Sequence, residues 1–205
     1  MRLEVLKEKH KKIFSQLKFF PDFYLAGGTA LALQIGHRIS VDFDFFGKKE
    51  IEKKLFNKIK KVFKGSTIST AVNNKEELTV FVDNVKLTFL HYPFPLILKR
   101  KKYKGINFLS VKEIAATKAY TIGRRGTFKD YVDLYFIIKN KCSSLEQIIK
   151  LAQKKYKEEF NARLFLEQLI YLEDIEDIEI VFLKKKIAKQ AIQNFFENEI
   201  KKIKL

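Results

Sequence analysis

The segment from Phe23 to Phe46 constrains the fold more than any other part of the chain. Phe23-Tyr24-Leu25-Ala26 is a short apolar strand broken by Gly27-Gly28. Thr29 to Ile35 has helix-forming composition, Gly36 suits its C-terminal cap, and Val41 to Phe46 is a second strand carrying Asp42-Phe43-Asp44. A strand, a glycine turn, a helix and a strand in so few residues require a fold that mixes helices with a sheet.

The rest of the chain extends that pattern. Leu3 to Leu17 reads as a helix ended by Pro21, and Glu50 to Phe63 as another, with Ile51, Leu55, Ile59, Val62 and Phe63 on one face. Thr67–Val72, Leu78–Val82 and Val85–Leu90 are strands, the last two joined by an Asp83-Asn84 turn. A short strand is expected near Asn107–Leu109. Ser110-Val111-Lys112-Glu113 has the capping-box pattern and opens a helix to about Ile122, stopped by Gly123. Thr127 opens the next, to about Asn140, and helices follow at about 144–157, 161–172 and 178–202. The composition shift near residue 110 predicts an α/β core over 1–109 and a helical region over 110–205.

Composition narrows the function classes. A 46% hydrophobic content with 20 Phe is enough for a packed core. One cysteine, Cys142, excludes an internal disulfide and a cysteine metal site. The N-terminus lacks an apolar signal-peptide core and no apolar run approaches about 18 residues, so a cytoplasmic protein without membrane contact is expected. The net charge of +17 points to polyanionic partners. Only six of the 41 basic residues are Arg, so an AT-rich coding bias contributes to that charge.

On a strand, Asp42 and Asp44 project from one face, roughly 7 Å apart at the backbone. Two such carboxylates converge on Mg²⁺, which fills its shell with phosphate oxygens and water. A solvated strand end, or an ion pair with Arg38, accounts for them equally well. Gly27-Gly28-Thr29 lets backbone amides approach a phosphate at a helix N-terminus, with the Thr29 hydroxyl adding a bond; a strand-to-helix turn also needs glycine. Arg38 and Ser40 lie close enough to reach phosphate or ribose. Farther on, Lys118 faces Asp133 across two antiparallel helices, with Asp130 the lesser of the two acids. An interhelical ion pair is the alternative. His10, His37 and His91 fit no metal spacing. The run Lys99-Arg100-Lys101-Lys102-Tyr103-Lys104 reads as a solvated loop, or as a phosphate contact with Tyr103 stacking on a base. The tail Lys201-Lys202-Ile203-Lys204 is expected to fray.

Gly27-Gly28-Thr29-Ala-Leu-Ala-Leu…Arg38-Ile-Ser40-Val-Asp42-Phe-Asp44-Phe, followed by Lys118-Ala-Tyr-Thr-Ile-Gly-Arg124-Arg125-Gly-Thr-Phe-Lys129-Asp130-Tyr-Val-Asp133, resembles the AbiEii/AbiGii-type toxins of the DNA polymerase β-like nucleotidyltransferase superfamily. The resemblance covers about residues 20–140. It implies an α+β fold, a polymerase β-like mixed sheet with flanking helices, whose helical C-terminal region packs on the core and completes the site. It also implies transfer of a nucleoside monophosphate from an NTP, with Asp42 and Asp44 holding Mg²⁺ or Mn²⁺. Gly27, Gly28, Thr29, Arg38, Ser40 and Lys118 would bind the nucleotide, and Asp133 would act on the acceptor hydroxyl. The implied acceptor is RNA, tRNA-like, and the implied partner an antitoxin. Transfer to a protein hydroxyl, and a decayed nucleic-acid or partner-binding module, are the alternatives. The chain departs from the superfamily at Thr88, where a third metal-binding carboxylate is expected, which leaves one or two metals open.

Overall fold

The computed structural model describes residues 1–176, 178–183 and 186–203. The chain divides into two compact units: Met1–Phe94 with Arg100–Leu109, and Pro95–Lys99 with the residues from Ser110 onward.

The first unit is built on a seven-stranded mixed sheet. Its strands are β1 (Tyr24–Ala26), β2 (Phe43–Gly47), β3 (Ile68–Asn73), β4 (Glu77–Val82), β5 (Val85–His91), β6 (Lys101–Tyr103) and β7 (Ile106–Phe108), in the order β3-β4-β5-β2-β1-β7-β6. The pairs β2–β5 and β1–β7 are parallel and the remainder antiparallel. One face of the sheet is packed with Phe43, Phe45, Leu78, Val80, Leu87 and Phe89, each at most 1% exposed. Phe45 stacks on Phe89 with centroids 4.9 Å apart, and Phe20 tilts onto Phe89 at 5.1 Å. The Asp83-Asn84 turn has both φ angles positive, 47° and 62°, the primed geometry that matches strand twist.

Three helices accompany this sheet: α1 (Glu8–Gln16), α2 (Gly27–Ile35) and α3 (Lys54–Val62). Gly36 ends α2 in the left-handed conformation, φ 64°, and its N–H closes on the Ala32 carbonyl. Two of these helices are shorter than the periodicity predicts, because competing backbone bonds capture their first turns. Arg2 N–H donates to the Leu33 carbonyl and Ser40 N–H to that of Val5, so only a 3₁₀ turn, Leu3–Val5, precedes α1. Ile51 N–H donates to the Lys75 carbonyl, and α3 begins only at Lys54.

The basic run expected to be a loop contains edge strand β6. It pairs with β7 through a Lys104-Gly105 turn whose φ angles are 47° and 82°. Lysines suit such an edge, because their charge discourages pairing with another chain.

The second unit is helical: α4 (Val111–Arg125), α5 (Phe128–Lys139), α6 (Leu145–Tyr156), α7 (Ala162–Ile170) and α8 (Lys189–Ile200). Helix α4 passes through Gly123, the expected stop, and ends at Arg125. A Cβ at Gly123 would meet Phe165 Cα at 3.9 Å, so this glycine lies inside the helix where α7 comes close. Arg124 is correspondingly a helical residue, stacked 4.3 Å over Tyr120. The last helix is much shorter than expected. Residues 178–183 and 186–188 are not helical, in keeping with the period-two alternation Ile178-x-Ile180-x-Phe182. Lys184, Lys185 and the tail's Lys204 lie outside the described residues.

Candidate active site

In the first unit the site starts where β1 becomes α2. Gly27 has φ 66°, open to glycine at little cost, and a Cβ there would overlap Oδ2 of Asp44. Pairing of β1 with β2 sets Ala26 opposite Asp44, so the carboxylate lies against the first turn of α2. That turn carries no acidic residue of its own. Its N–H groups and partial positive charge suit an anion, whether the Asp44 carboxylate or a phosphate drawn beside it.

Asp42 lies just before β2 and is exposed, whereas Asp44 is half-buried within the strand. Thr29 accounts for the late start of the strand. Its hydroxyl donates to the Asp42 carbonyl and stands 2.7 Å from Ser40 Oγ. A hydroxyl has one proton and a carbonyl only accepts, so Ser40 donates to Thr29 and Thr29 to Asp42. The Thr29 hydroxyl, expected to reach a phosphate, is 1% exposed and instead brackets the loop that presents Asp42. Arg38 and His37 are buried too, 4% and 1% exposed, and Arg38 Nη1 donates to the Ile39 carbonyl at 3.2 Å.

His10 is 3% exposed near Phe43, and its Nδ1 has no partner among the described residues. Burial lowers its pKa, helped by Lys9 and Lys7 and opposed by Asp42. This histidine belongs to the core.

The parallel register of β2 and β5 puts Thr88 directly beside Asp44. Among the described residues no group of three or more His, Cys, Asp or Glu side chains is assembled to hold a metal ion. Two carboxylates still fit Mg²⁺, which takes one or two from protein and the rest of its oxygens from phosphate and water. A separate cavity of about 790 Å³, lined by Phe20, Phe23, Lys49, Leu55, Lys58 and Lys61 among others, contains none of these residues.

The second unit carries the remaining residues. Ser110 caps α4 by accepting from Glu113 N–H at 3.3 Å. Glu113 does not complete a capping box. Its Oε1 accepts from Ile97 and Leu98 N–H at 2.6 and 2.7 Å, and its Oε2 from Lys155 Nζ at 2.6 Å, with both side chains 0% exposed. Glu113 thereby ties Pro95–Lys99 to the helices. The signal for this pair lay in α6, where Lys155 falls on the buried stripe of Leu145, Ile148, Ala152 and Tyr156.

Lys118 Nζ lies 2.6 Å from Asp130 Oδ1 and 2.8 Å from Asp133 Oδ2, an ammonium held by two acids. Burial pulls the Lys118 pKa down, but the two carboxylates outweigh it and raise it overall. Asp130, ranked behind Asp133 from sequence, makes the shorter bond. It also accepts from Thr127 N–H and Oγ at 2.9 Å each, which fixes the start of α5. Asp133 is 0% exposed.

Comparison with known proteins agrees with this architecture. Residues 11–204 match the family described as nucleotidyl transferase AbiEii toxin, type IV toxin–antitoxin system. An uncharacterised Aquifex aeolicus protein, aq_aa25, is 34% identical over 200 residues, 94% of this chain and 96% of that one. Among solved structures, MenT4, a nucleotidyltransferase toxin of Mycobacterium tuberculosis, superposes with a TM-score of 0.63 at 14% identity, covering 93% of this chain and 80% of that one. JHP933 of Helicobacter pylori gives 0.53 at 16% identity, covering 96% and 97%. At such identities these structures speak for the fold alone, and the fold is the α+β mixed sheet with flanking helices. The match over residues 11–204 supplies the rest: the chain belongs to the AbiEii family of nucleotidyltransferase toxins and is a nucleotidyltransferase.

Proposed function

We propose that the protein transfers a nucleoside monophosphate from a metal-bound NTP to an RNA acceptor, as the toxin of a pair with an antitoxin. The observation that carries this reading is the seating of Asp44 against Gly27 at the start of α2, which brings a carboxylate beside a helix N-terminus whose N–H groups suit an anion. In the reaction the acceptor hydroxyl oxygen attacks the α-phosphorus. The bond from that phosphorus to the β-bridging oxygen breaks, pyrophosphate leaves with the electron pair, and the hydroxyl proton passes to solvent.

Asp42 and Asp44 would hold Mg²⁺ or Mn²⁺, which when bound neutralises charge on the phosphates. Gly27 and Gly28 offer backbone N–H groups to the triphosphate. Thr29 and Ser40 keep Asp42 in position, and Arg38 adds positive charge. Lys118 supplies the triphosphate's cation. Its pairing with Asp130 and Asp133 favours a positioning role for both acids, ahead of direct action by the buried Asp133 on the acceptor. The net charge of +17 favours RNA over a protein acceptor.

Incubation with each NTP labelled at the α-phosphate, alongside total tRNA and an RNA-free cell extract, tests the acceptor. Label in the tRNA fraction is expected. Label only in protein would replace RNA by a protein hydroxyl.

A further inference from the structure

The cavity of about 790 Å³ in the first unit has a lining that the reaction above leaves without a role. Lysines enter it from two elements. Lys48 and Lys49 follow Gly47 at the end of β2, and Lys54, Lys58 and Lys61 come from α3. The α3 lysines recur at i, i+4 and i+7, so they form one stripe about 10 Å long, while Leu55 and Ile59 of the same helix are buried in the core. Two aromatic rings line the same cavity. Phe20 is buried, with Lys58 Nζ 5.6 Å from its centroid. Phe23 is half-buried and held edge-on to Phe89 at 5.1 Å. Gly47 permits that placement, because a Cβ there would come within 2.7 Å of the Phe23 ring.

The acids present do not neutralise these lysines. Asp22, Glu50 and Glu52 also line the cavity, but Glu52 is taken by Lys54 at 2.6 Å and Glu50 by Lys75 at 3.5 Å. The Lys54–Glu52 pair is exposed on both sides, so Lys54 exchanges its carboxylate for another anion at little cost. Lys48, Lys49, Lys58 and Lys61 make no ion pair among the described residues. Their ammonium groups repel one another around one cavity, and a polyanion removes that repulsion.

We propose that this cavity binds a single-stranded segment of the RNA acceptor without regard to its sequence, with phosphates on the lysines and a base against Phe23. This rests on the proposed reading of RNA as the acceptor. Lysines strung along a helix do not converge on one phosphate; they follow a chain of phosphates. No arginine is among the lining residues, and lysine is a point charge without the planar fork that reads a partner's geometry, so these contacts carry no base information. An aromatic ring set among such charges takes any base, because every base has a π-face. Gly47 lies three residues after Asp44 on β2, about 10 Å along the strand, so one RNA molecule spans the cavity and the reacting centre.

The test is fluorescence anisotropy of a short labelled oligouridylate on the full chain over a range of salt, with chelator present and NTP absent. For single strands each phosphate contact contributes about 0.7 to the log–log salt slope, so Lys54→Gln/Lys58→Gln/Lys61→Gln should flatten that slope by about 2. Lys9→Gln/Lys12→Gln/Lys154→Gln removes the same charge from exposed positions outside the cavity and should keep the wild-type slope. Phe23→Leu should weaken binding by about 5-fold with the slope unchanged, and an oligomer of abasic sugar phosphates should bind wild type more weakly by a similar factor. A wild-type slope in the α3 variant, or the same flattening in both triple variants, overturns the cavity site. Equal affinity of wild type for the abasic oligomer and the oligouridylate overturns the RNA assignment in favour of any acidic chain, an acidic protein segment included. Transfer is read separately, as label on tRNA that is lost in Asp44→Ala, so failure of the cavity site leaves the catalytic reading standing. Thermal melts of each variant separate loss of fold from loss of binding.

Discussion

Replacing Lys155 by Met takes the ammonium away from Glu113, whose carboxylate keeps the N–H groups of Ile97 and Leu98 as donors at 2.6 and 2.7 Å. Both members of the pair are 0% exposed, so water cannot substitute for the lost partner without opening the unit. Breaking a buried pair from one side costs about 3–5 kcal/mol. The two remaining donors put the expected loss near the lower end, about 3 kcal/mol. Glu113→Gln alone is also destabilising, because an amide has one oxygen for the two N–H groups and turns its NH₂ toward Lys155. The double variant Glu113→Gln/Lys155→Met keeps that oxygen for Ile97 and Leu98 and buries no charge, so it should regain at least half of the Lys155→Met loss. Urea unfolding followed by far-UV circular dichroism reads these differences. Lys155→Met within about 0.5 kcal/mol of wild type, the usual range for surface changes, would refute the assignment of this pair as the tie between Pro95–Lys99 and the helices.

Two glycines give opposite expectations. Gly27→Ala forces a side chain onto a φ of 66° and into the Asp44 carboxylate, costing about 1–3 kcal/mol and abolishing transfer. Gly123→Ala places a methyl at ordinary contact distance inside α4 and should stabilise by about 0.5–1 kcal/mol, seen as a higher urea midpoint. His10, with its pKa held below 6.5, resists protonation in the folded state while the unfolded chain takes up the proton, so its contribution falls away as the pH drops below 6.5. His10→Leu should flatten the fall in melting temperature between about pH 7 and 5; an unchanged slope would show that the acid sensitivity lies elsewhere.

The parts of the fold legible in sequence were those written locally. Glycines at 27, 28 and 36, the Asp83-Asn84 turn and the Ser110 and Thr127 caps act within a few residues of themselves. The strand and helix they delimit appear close to where the sequence puts them. What was not legible depends on partners far along the chain. Leu3–Leu17 and Glu50–Phe63 have helical periodicity, yet backbone bonds to Leu33, Ser40 and Lys75 claim their first turns. The edge strand Lys101–Tyr103 was hidden by its charge, which fits an edge as well as a loop.

The candidate site divides in the same way. The sequence brings Asp42, Asp44 and the glycine turn together because one strand–helix–strand unit contains them all. It cannot show that Thr29 spends its proton on the Asp42 carbonyl, which depends on how the loop closes. Nor can it show that Asp130 shares Lys118 with Asp133 while also capping α5, since the two acids lie on one helix face and their distances to Lys118 depend on how α4 and α5 pack. Thr88 was legible as a departure, and only the register of β2 against β5 sets it beside Asp44.

The most direct measurement of the central claim compares wild type with Asp44→Ala in transfer from an NTP labelled either at the α- or at the γ-phosphate, with total tRNA as acceptor and Mg²⁺ present. The account predicts that wild type moves α-label and no γ-label onto the acceptor, and that Asp44→Ala and wild type with excess chelator move neither. Transfer of γ-label, or equal α-labelling by wild type and Asp44→Ala, would contradict it.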